Sequence, residues 1–354
     1  MSLDQESTAR PVPSPTGRWR EYTQLSRQIK QAGLLDRRRC WYAARIGLYL
    51  ALLAAGAAVF AILGASWWQL GTAGYLAVVF TQLAFVGHDA GHRQLFGSRR
   101  ANNLAGLLHA NLLVGISFGW WVPKHNAHHS NPNHEDLDPD ISITALAFTA
   151  DQASAKHGLV RLLARHQAWL FFPLLLLEAA HLHLASLKAI LRGSGRANAV
   201  EGLLLGAHVA GYVTALVVVL SPLQALAFVV VQQGLFGLYL GCAFAPNHKG
   251  MPTLTQADEL DFLRRQVLTS RNVRGSWPVD WLLGGLNYQI EHHLFPTMPR
   301  PNLRRAQPLI RAFCQHRGLP YTEASLVGSY AEALRHLHTV GAPLRPAVAA
   351  ADQA

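Results

Sequence analysis

Stretches without charged side chains constrain this chain more than any other feature of its sequence. Between residues 41 and 87 the only charged side chain is Arg45, and residues 202–247 carry none. A membrane-spanning helix needs about 20 apolar residues to cross a hydrocarbon core of about 30 Å. Each stretch is therefore long enough for two spans joined by a turn.

Turn residues divide each stretch into two spans. Residues 64–66 form the expected turn of the first stretch, with Trp67 and Trp68 at the membrane interface, and residues 221–222 divide the second. Arginines at 37–39 precede the first span, so the positive-inside rule places the N-terminus in the cytoplasm. We expect two helical hairpins, with spans near 42–63, 67–87, 202–220 and 223–245.

The composition agrees with a membrane protein. Half of the 354 residues are hydrophobic and 14% are charged, whereas a soluble domain averages about 25% charged residues. Three cysteines exclude a disulfide framework. The net charge of +11 suits an anionic lipid surface or a phosphate-bearing substrate, and we expect no nucleic-acid partner.

Seven of the 18 histidines lie in three short clusters. The clusters read HDAGH at 88–92, HNAHH at 125–129 and QIEHH at 289–293. Their polar side chains lie at positions i and i+4, or i, i+3 and i+4, which share one face of a helix. Since neutral imidazole is the commonest metal ligand, each cluster predicts that two or three ligands converge on one point.

One such pair by itself is more often an ordinary surface or core feature than a metal site. Three clusters beside apolar spans indicate more, because an unpaired polar group in lipid costs several kcal/mol. His248, at the end of the last span, is an eighth candidate ligand, with an interfacial histidine as the alternative. His208 lies inside a span, and we expect it to hydrogen-bond a neighbouring helix.

A shared site requires all clusters to lie on one side of the membrane. The chain between His92 and His125 is too short for two crossings of about 20 residues each, so residues 101–123 should lie along the interface. Between the second and third clusters the number of crossings must be even. Residues 166–187, which contain Glu178, are the weakest candidate span there, and we expect them to be interfacial too.

Eight histidines exceed the three or four protein ligands of a single metal and fit two metals with open positions. A carboxylate-type di-iron site needs two Glu-x-x-His motifs, and this chain has one such spacing, from Glu178 to His181. Four acids near the histidines either orient imidazoles or are solvated surface groups: Asp89, Asp138, Asp140 and Glu291. An imidazole-rich pair of metals suggests oxygen activation, because side chains alone cannot oxidise an unactivated C–H bond.

The clusters resemble the HxxxH, HxxHH and (H/Q)xxHH boxes of membrane fatty acid desaturases. The matching text continues through DPDI at 138–141, PNH at 246–248 and NYQIEHHLFPTMP at 287–299, and the resemblance covers roughly residues 20–335. Gln289, in the first place of the third box, resembles the branch that contains front-end desaturases of polyunsaturated acids and linoleoyl-CoA-type bacterial enzymes.

The resemblance implies an all-α integral membrane protein with four transmembrane helices, interfacial helices and a cytoplasmic helical cap that holds two iron ions. The implied iron ligands are His88, His92, His125, His128, His129, His248, His292 and His293. Direct ligation by Gln289 is left open, with a contact through water as the alternative. Asn247 and the four acids are expected around the ligands rather than among them.

The implied activity is O₂-dependent insertion of a cis double bond into a fatty acyl chain, carried by CoA or by a membrane lipid. The chain contains no HPGG motif of a fused cytochrome b5 domain. We therefore expect a separate electron donor, either ferredoxin with its reductase or cytochrome b5. The expected location is a membrane, the inner or plasma membrane if the source is bacterial, with both termini and the site cytoplasmic.

We expect one membrane domain at 21–340, which begins with an amphipathic helix at 21–39, between disordered tails at 1–20 and 341–354.

Two other functions compete with desaturation. A lipid hydroxylase or monooxygenase would use the same metal pair to insert oxygen. A metal transporter or sensor would use the histidines as a path, but it predicts ionisable residues inside the spans, and residues 202–247 offer only His208.

Overall fold

The structure, a computed structural model, describes residues 15–345, with side chains from Arg20 onward. Most of these residues are helical. In chain order the helices are α1 (Pro15–Gln31), α2 (Arg39–Leu63), α3 (Gln69–Gly91), α4 (Arg99–Gly106), α5 (Phe118–Ser130), α6 (Ala150–Ser154), α7 (Gly158–Arg165), α8 (Gln167–Leu175), α9 (Glu178–Arg192), α10 (Gly195–Val219), α11 (Pro222–His248), α12 (Phe262–Leu268), α13 (Trp277–Leu282), α14 (Gln289–Leu294), α15 (Arg300–His316) and α16 (Leu326–Val340).

Four of these helices, α2, α3, α10 and α11, are long and apolar enough to cross a membrane. Their number agrees with the four spans predicted from the sequence. The helices α3 and α11 continue past the predicted ends at 87 and 245, to Gly91 and His248. Their last turns can carry polar residues because those turns are buried inside the protein rather than in lipid.

The central helix of the bundle is α3. In its most apolar window 61% of the residues are buried inside the protein, against 11% for α10. It packs against α2, α11 and a π-helical segment at Leu107–Val114. The turn before it includes Gly64, with φ of 53°, and the exposed Trp67 and Trp68, as the sequence predicted.

Local signals explain the start of α11. Ser221 and Gln224 form a reciprocal capping box. The Ser221 side chain accepts a hydrogen bond from the backbone N–H of Gln224, and the Gln224 side chain accepts one from the backbone N–H of Ser221. Pro222 occupies the first helical turn, where its missing N–H costs no hydrogen bond. Ser221, Pro222 and Gln224 therefore determine where α11 begins and where the chain breaks after α10.

The two weaker apolar segments are bent. The run from α4 through the π-helical segment turns by 112° into α5, and α8 turns by 67° into α9. The first bend lies at Gly115, with φ of 85°, where a Cβ atom would stand 2.6 Å from the His208 ring. The candidate spans number four, or six if each bent pair crosses as one broken span.

The N-terminal helix differs from its predicted bounds, since α1 occupies Pro15–Gln31 rather than 21–39. It ends early because Gly33 adopts a left-handed conformation with φ of 65°, and Leu34 N–H bonds back to the Ile29 carbonyl at 3.2 Å. Residues 1–14 and 346–354, most of the two expected tails, lie outside the described residues. Within the second tail, Ala342–Leu344 form a 3-10 turn.

The polar part of the chain builds a core of its own. Buried residues of α1, α12, α14 and α15 form one hydrophobic cluster, which includes Leu25, Ile290 and Ile310. Two short strands, β1 (Asn272–Arg274) and β2 (Glu323–Ser325), pair in parallel beside it, so the chain is not purely helical. This layer supports α14 and so fixes the third histidine cluster.

Candidate metal centre

The ends of α3, α5 and α11 and the short helix α14 bring the predicted histidines together. His88 lies in the last turn of α3, the second cluster in the last turns of α5, and the third cluster on α14. His248 is the last residue of α11. Seven of the eight are buried, and His125 is half-buried. Residues far apart in the chain thus form one enclosed site.

Five of the histidines form one group: His88, His92, His125, His129 and His292. Their ligand atoms all lie within 4.8 Å of one another. Nε2 of His125 stands at the middle, 2.9 Å from Nε2 of His92, 3.2 Å from that of His88 and 3.1 Å from that of His129. We call this set the five-histidine group.

The other three histidines form a second group: His128, His248 and His293. Nε2 of His248 lies 3.1 Å from Nε2 of His293. The side-chain nitrogen of Gln289 is 2.8 Å from the same His248 atom. The two groups touch, because the rings of His129 and His293 stack with centroids 4.1 Å apart. We call this set the three-histidine group.

The grouping corrects one prediction from spacing. The first cluster converges on one point as expected, but the second and third clusters are each divided between the two groups. In both, positions i and i+4 face one group and position i+3 faces the other, so His128 and His292 leave their sequence neighbours. The reason is that consecutive helical residues point about 100° apart, which aims adjacent histidines at different centres.

The donor set fits metal cations. Burial, and then repulsion from neighbouring imidazoles, holds the pKa of the group members outside the candidate spans well below the usual range; these are His92, His125, His129, His292 and His293. Neutral imidazoles offer lone pairs, and Nε2 of His292 is buried without a hydrogen-bond partner among the described residues. Lone pairs that converge in a buried place need a cation between them.

Hydrogen bonds at the outer nitrogens orient the three-histidine group. Nδ1 of His248 lies 2.9 Å from the Thr269 carbonyl oxygen, and Nδ1 of His293 lies 2.9 Å from Oε1 of Gln266. Both oxygens accept, so each Nδ1 carries the proton and each Nε2 lone pair faces inward. Neither Thr269 nor Gln266 was predicted to contact the histidines, because no sequence motif contains them.

Asp138 orients the ring of His128 by accepting a hydrogen bond from its outer nitrogen. Both carboxylate oxygens lie 3.0 Å from Nδ1 of the ring. Backbone N–H groups of Asn133 and Asp140 donate to the carboxylate at 2.7 and 2.8 Å. Burial alone would raise the pKa of Asp138, but the hydrogen bond to His128 and the charge interactions with His128 and Lys249 together outweigh it and hold the pKa below its ordinary value. Asp140 pairs with Lys124 instead and lies 3.7 Å from His128.

Asp89 links the first cluster to a buried arginine. Its Oδ1 lies 3.2 Å from Nδ1 of His88, and its Oδ2 accepts from Nε of Arg300 at 2.8 Å and from the Tyr42 hydroxyl at 3.0 Å. The guanidinium also donates to the Phe85 carbonyl at 2.7 Å. Arg300 was not among the predicted site residues, although it directly follows the matching text of the third box and lies between two prolines.

Glu291 acts on the backbone of the third cluster rather than on an imidazole. Its carboxylate accepts from the Tyr321 hydroxyl at 2.5 Å and from the Asn272 amide at 2.7 Å. Asn272 in turn accepts from the Ile290 N–H at 2.9 Å. Burial raises the pKa of Glu291 to about 7, despite these two donors. The network ties α14 to β1 and so sets the position of the third cluster.

Two amides and one histidine complete the predicted set. Asn247 donates to the Ala243 carbonyl at 3.2 Å and reaches Oε1 of Gln289 at 3.4 Å, so it holds that amide beside His248. His208 lies away from both groups and bonds the Leu112 carbonyl through Nδ1 at 2.9 Å. The predicted hydrogen bond of His208 to a neighbouring helix is therefore confirmed.

Comparison with known proteins gives one consistent result. A sequence model of the family described as Fatty acid desaturase matches residues 65–325. The chain is 32% identical over 295 residues to an acyl-lipid (9-3)-desaturase of Physcomitrium patens, a match that covers 80% of this chain and 54% of that protein. The chain thus spans about half the length of the moss protein.

Two further relatives are covered more completely. A Delta(8)-fatty-acid desaturase of Helianthus annuus is 28% identical over 344 residues, or 92% of this chain and 74% of that protein. The Delta(5) fatty acid desaturase fat-4 of Caenorhabditis elegans is 30% identical over 319 residues, or 85% and 69%. With a family model over most of its length and its three histidine boxes in one buried site, the chain belongs to the fatty acid desaturase family, as the boxes predicted.

Proposed function

We propose that this protein desaturates a fatty acyl chain, using two iron ions, O₂ and electrons from a separate protein, and that the product carries a new cis double bond. The observation that carries the proposal is the division of eight histidines, seven of them buried, into two adjoining groups. Imidazole is a ligand that iron accepts, and a pair of groups fits a pair of ions.

Each group would hold one ion. The five-histidine group would bind through its converging nitrogens, and the three-histidine group would bind through His128, His248 and His293 with Gln289 beside them. When bound, the iron pair and O₂ supply an oxidant strong enough to remove hydrogen from an unactivated carbon chain. Three protein ligands leave open positions, so Gln289 would contact water or substrate there.

The protein's own residues orient the ligands and exclude water. Asp138, Thr269 and Gln266 accept the outer Nδ1 protons, so no ligand of the three-histidine group can rotate its lone pair away. Trp121 stacks on His125 with centroids 4.4 Å apart, and Phe244 lies 6.3 Å from the His88 ring. These aromatic walls keep bulk water from the reacting atoms.

We place the site at the cytoplasmic membrane surface. Since α3 and α11 both end at the histidines, α2 and α10 begin on that same side if each hairpin crosses the membrane twice. Arginines at 37–39 precede α2, and the chain after His248 is rich in arginine, which favours the cytoplasmic side. The bent segments then lie at the interface, and both termini are cytoplasmic.

The substrate would be a fatty acyl chain on CoA or on a membrane lipid. The relatives' names agree on the fatty acyl class and differ in the position of the double bond. Electrons would come from ferredoxin with its reductase or from cytochrome b5. A basic surface suits either donor if that donor is acidic.

Expression in a host that lacks the activity tests the proposal. Host lipids are analysed by mass spectrometry after growth with and without O₂, beside cells that express His128→Ala. We expect an O₂-dependent product that has lost two hydrogens, in the wild type only. A product that has gained one oxygen indicates hydroxylation instead, and unchanged lipids in the presence of a working donor contradict both activities.

A further inference from the structure

A cavity of about 180 Å³ lies beside the N-terminal half of α2, outside the metal centre. Trp41, Arg45 and Tyr49 form one wall, four residues apart and therefore on one face of that helix. Trp277 and Trp281, on α13, also line the cavity. Because α2 is a candidate span that begins at Arg39, the cavity sits where a membrane surface would be.

Arg45 supplies a cation that the rest of the fold does not use. It is the only charged residue between 41 and 87. Among the described residues it forms no ion pair, and its guanidinium lies over the Trp41 ring, 5.2 Å from the centroid. A guanidinium in the first two turns of a span can reach the membrane interface, where an anionic headgroup can pair with it.

Two more arginines line the cavity. Arg300 is committed to Asp89, at 2.6 Å, and forms the inner wall. Arg304 approaches Asp280 at 3.4 Å, but its side chain is 57% exposed, and Asp280 also accepts from the Asn287 amide at 2.9 Å. The lining therefore carries three guanidinium groups and one carboxylate.

This combination matches one class of ligand. Guanidinium groups bind phosphate through paired hydrogen bonds, and tryptophan rings favour the level of lipid headgroups. We propose that the cavity binds the phosphate of the substrate's headgroup, either a phospholipid or the phosphate groups of CoA. The proposal deepens the proposed function and rests on it, because it names the group that carries the acyl chain.

A short chain of hydrogen bonds connects the cavity to the metal centre. Arg300, in its inner wall, bonds Asp89, whose other oxygen lies 3.2 Å from Nδ1 of His88. A headgroup held against Arg45 and Arg304 would therefore anchor the carboxyl end of the acyl chain close to the five-histidine group. The anchored end would decide which carbons reach the reacting position.

Binding of phosphate-bearing and phosphate-free probes tests the site directly. The full-length protein in detergent is titrated calorimetrically with dihexanoyl phosphatidylglycerol and dihexanoylglycerol, and with octanoyl-CoA and the octanoyl thioester of N-acetylcysteamine. We expect Arg45→Gln and Arg304→Gln each to weaken the phosphate-bearing probe about tenfold or more and to leave the phosphate-free partner unchanged. Arg45→Lys keeps the charge and should retain most of the binding.

Arg39→Gln is the matched control, since Arg39 is an exposed arginine on the same helix, outside the cavity. Response of the phosphatidylglycerol pair supports the proposal with a phospholipid source, and response of the octanoyl pair supports it with CoA. Equal binding of both members in both pairs overturns it, as does an equal loss in Arg39→Gln.

The two failures are distinguishable because binding is measured without turnover. A chain that binds phosphate through Arg45 but leaves host lipids unchanged contradicts the desaturase proposal alone. A chain that desaturates, with unchanged probe binding in Arg45→Gln and Arg304→Gln, contradicts the headgroup site alone.

Discussion

Two sets of histidines in this protein are built in opposite ways, one largely buried and one half-buried. In the metal centre ring nitrogens face one another, as Nε2 of His125 and His92 do at 2.9 Å. Beside the π-helical segment, ring nitrogens face backbone oxygens. Nδ1 of His183 lies 2.8 Å from the Gly115 carbonyl, and His208 makes the same kind of contact. Nitrogens that face nitrogens need a cation, whereas nitrogens that face oxygens need only a proton.

The local backbone explains the second arrangement. The π-helical segment ends at Val114, and Gly115 then turns the chain, so the last carbonyls have no partner within the helix. In an apolar environment each unpaired carbonyl is costly. His183 and His208 supply the missing donors. A histidine beside a membrane span is thus a ligand candidate when one ring nitrogen still faces other imidazoles after a backbone oxygen has accepted from the ring, as in His248.

Removal of one ligand should have the largest effect. His128→Ala takes away a nitrogen that no described neighbour can replace, so we expect loss of activity and of bound iron. The helical fold should persist, because most of the folding energy lies in the spans and their packing. Activity is measured from host lipids, iron by elemental analysis, and helicity by circular dichroism. Full iron content in His128→Ala would break the distinction between the two sets.

Loss of an outer hydrogen bond should cost less. In Asp138→Asn one acceptor oxygen becomes an NH₂ donor, although N–H groups face both oxygens of the carboxylate, so the His128 ring loses its fixed tautomer. We expect activity or iron affinity to fall about 10- to 100-fold, with the protein still folded. Asp140→Asn is the matched change beside it, and it should have the smaller effect because Asp140 lies 3.7 Å from the ring.

The smallest effect is expected at His208. His208→Ala leaves the Leu112 carbonyl unpaired, and such bonds in membrane helices contribute about 0.6 kcal/mol on average. We expect a slightly lower melting temperature, normal iron content and normal activity. Loss of iron in this variant would show that the oxygen-facing histidines are also part of the metal centre.

Sequence patterns predict which histidines come together because spacing on a helix is a local property. His88 meets His92, and His125 meets His129, because positions i and i+4 share one face of a helix. Spacing did not predict which centre His128 and His292 face, since that depends on how α5 and α14 are turned against each other. The four candidate spans were also predictable, because apolar runs of sufficient length have few alternatives.

Contacts between distant parts of the chain were not predictable from one sequence. Arg300 reaches Asp89 only because the first residue of α15 lies against Tyr42 of α2 and Asp89 of α3. Thr269 reaches His248 through its backbone carbonyl, which any residue carries. The early end of α1 depends on the left-handed turn at Gly33. In each case the missing information lies in tertiary packing or backbone conformation rather than in residue type.

The count of iron atoms per chain tests the central claim most directly. Protein loaded with Fe(II) without O₂ and freed of excess metal is measured by elemental analysis, for the wild type and for His248→Ala. Two groups of histidines predict two irons per wild-type chain and a loss from the three-histidine group in His248→Ala, which leaves one. A wild type that saturates at one iron, or a His248→Ala protein that keeps two and stays active, would contradict the account.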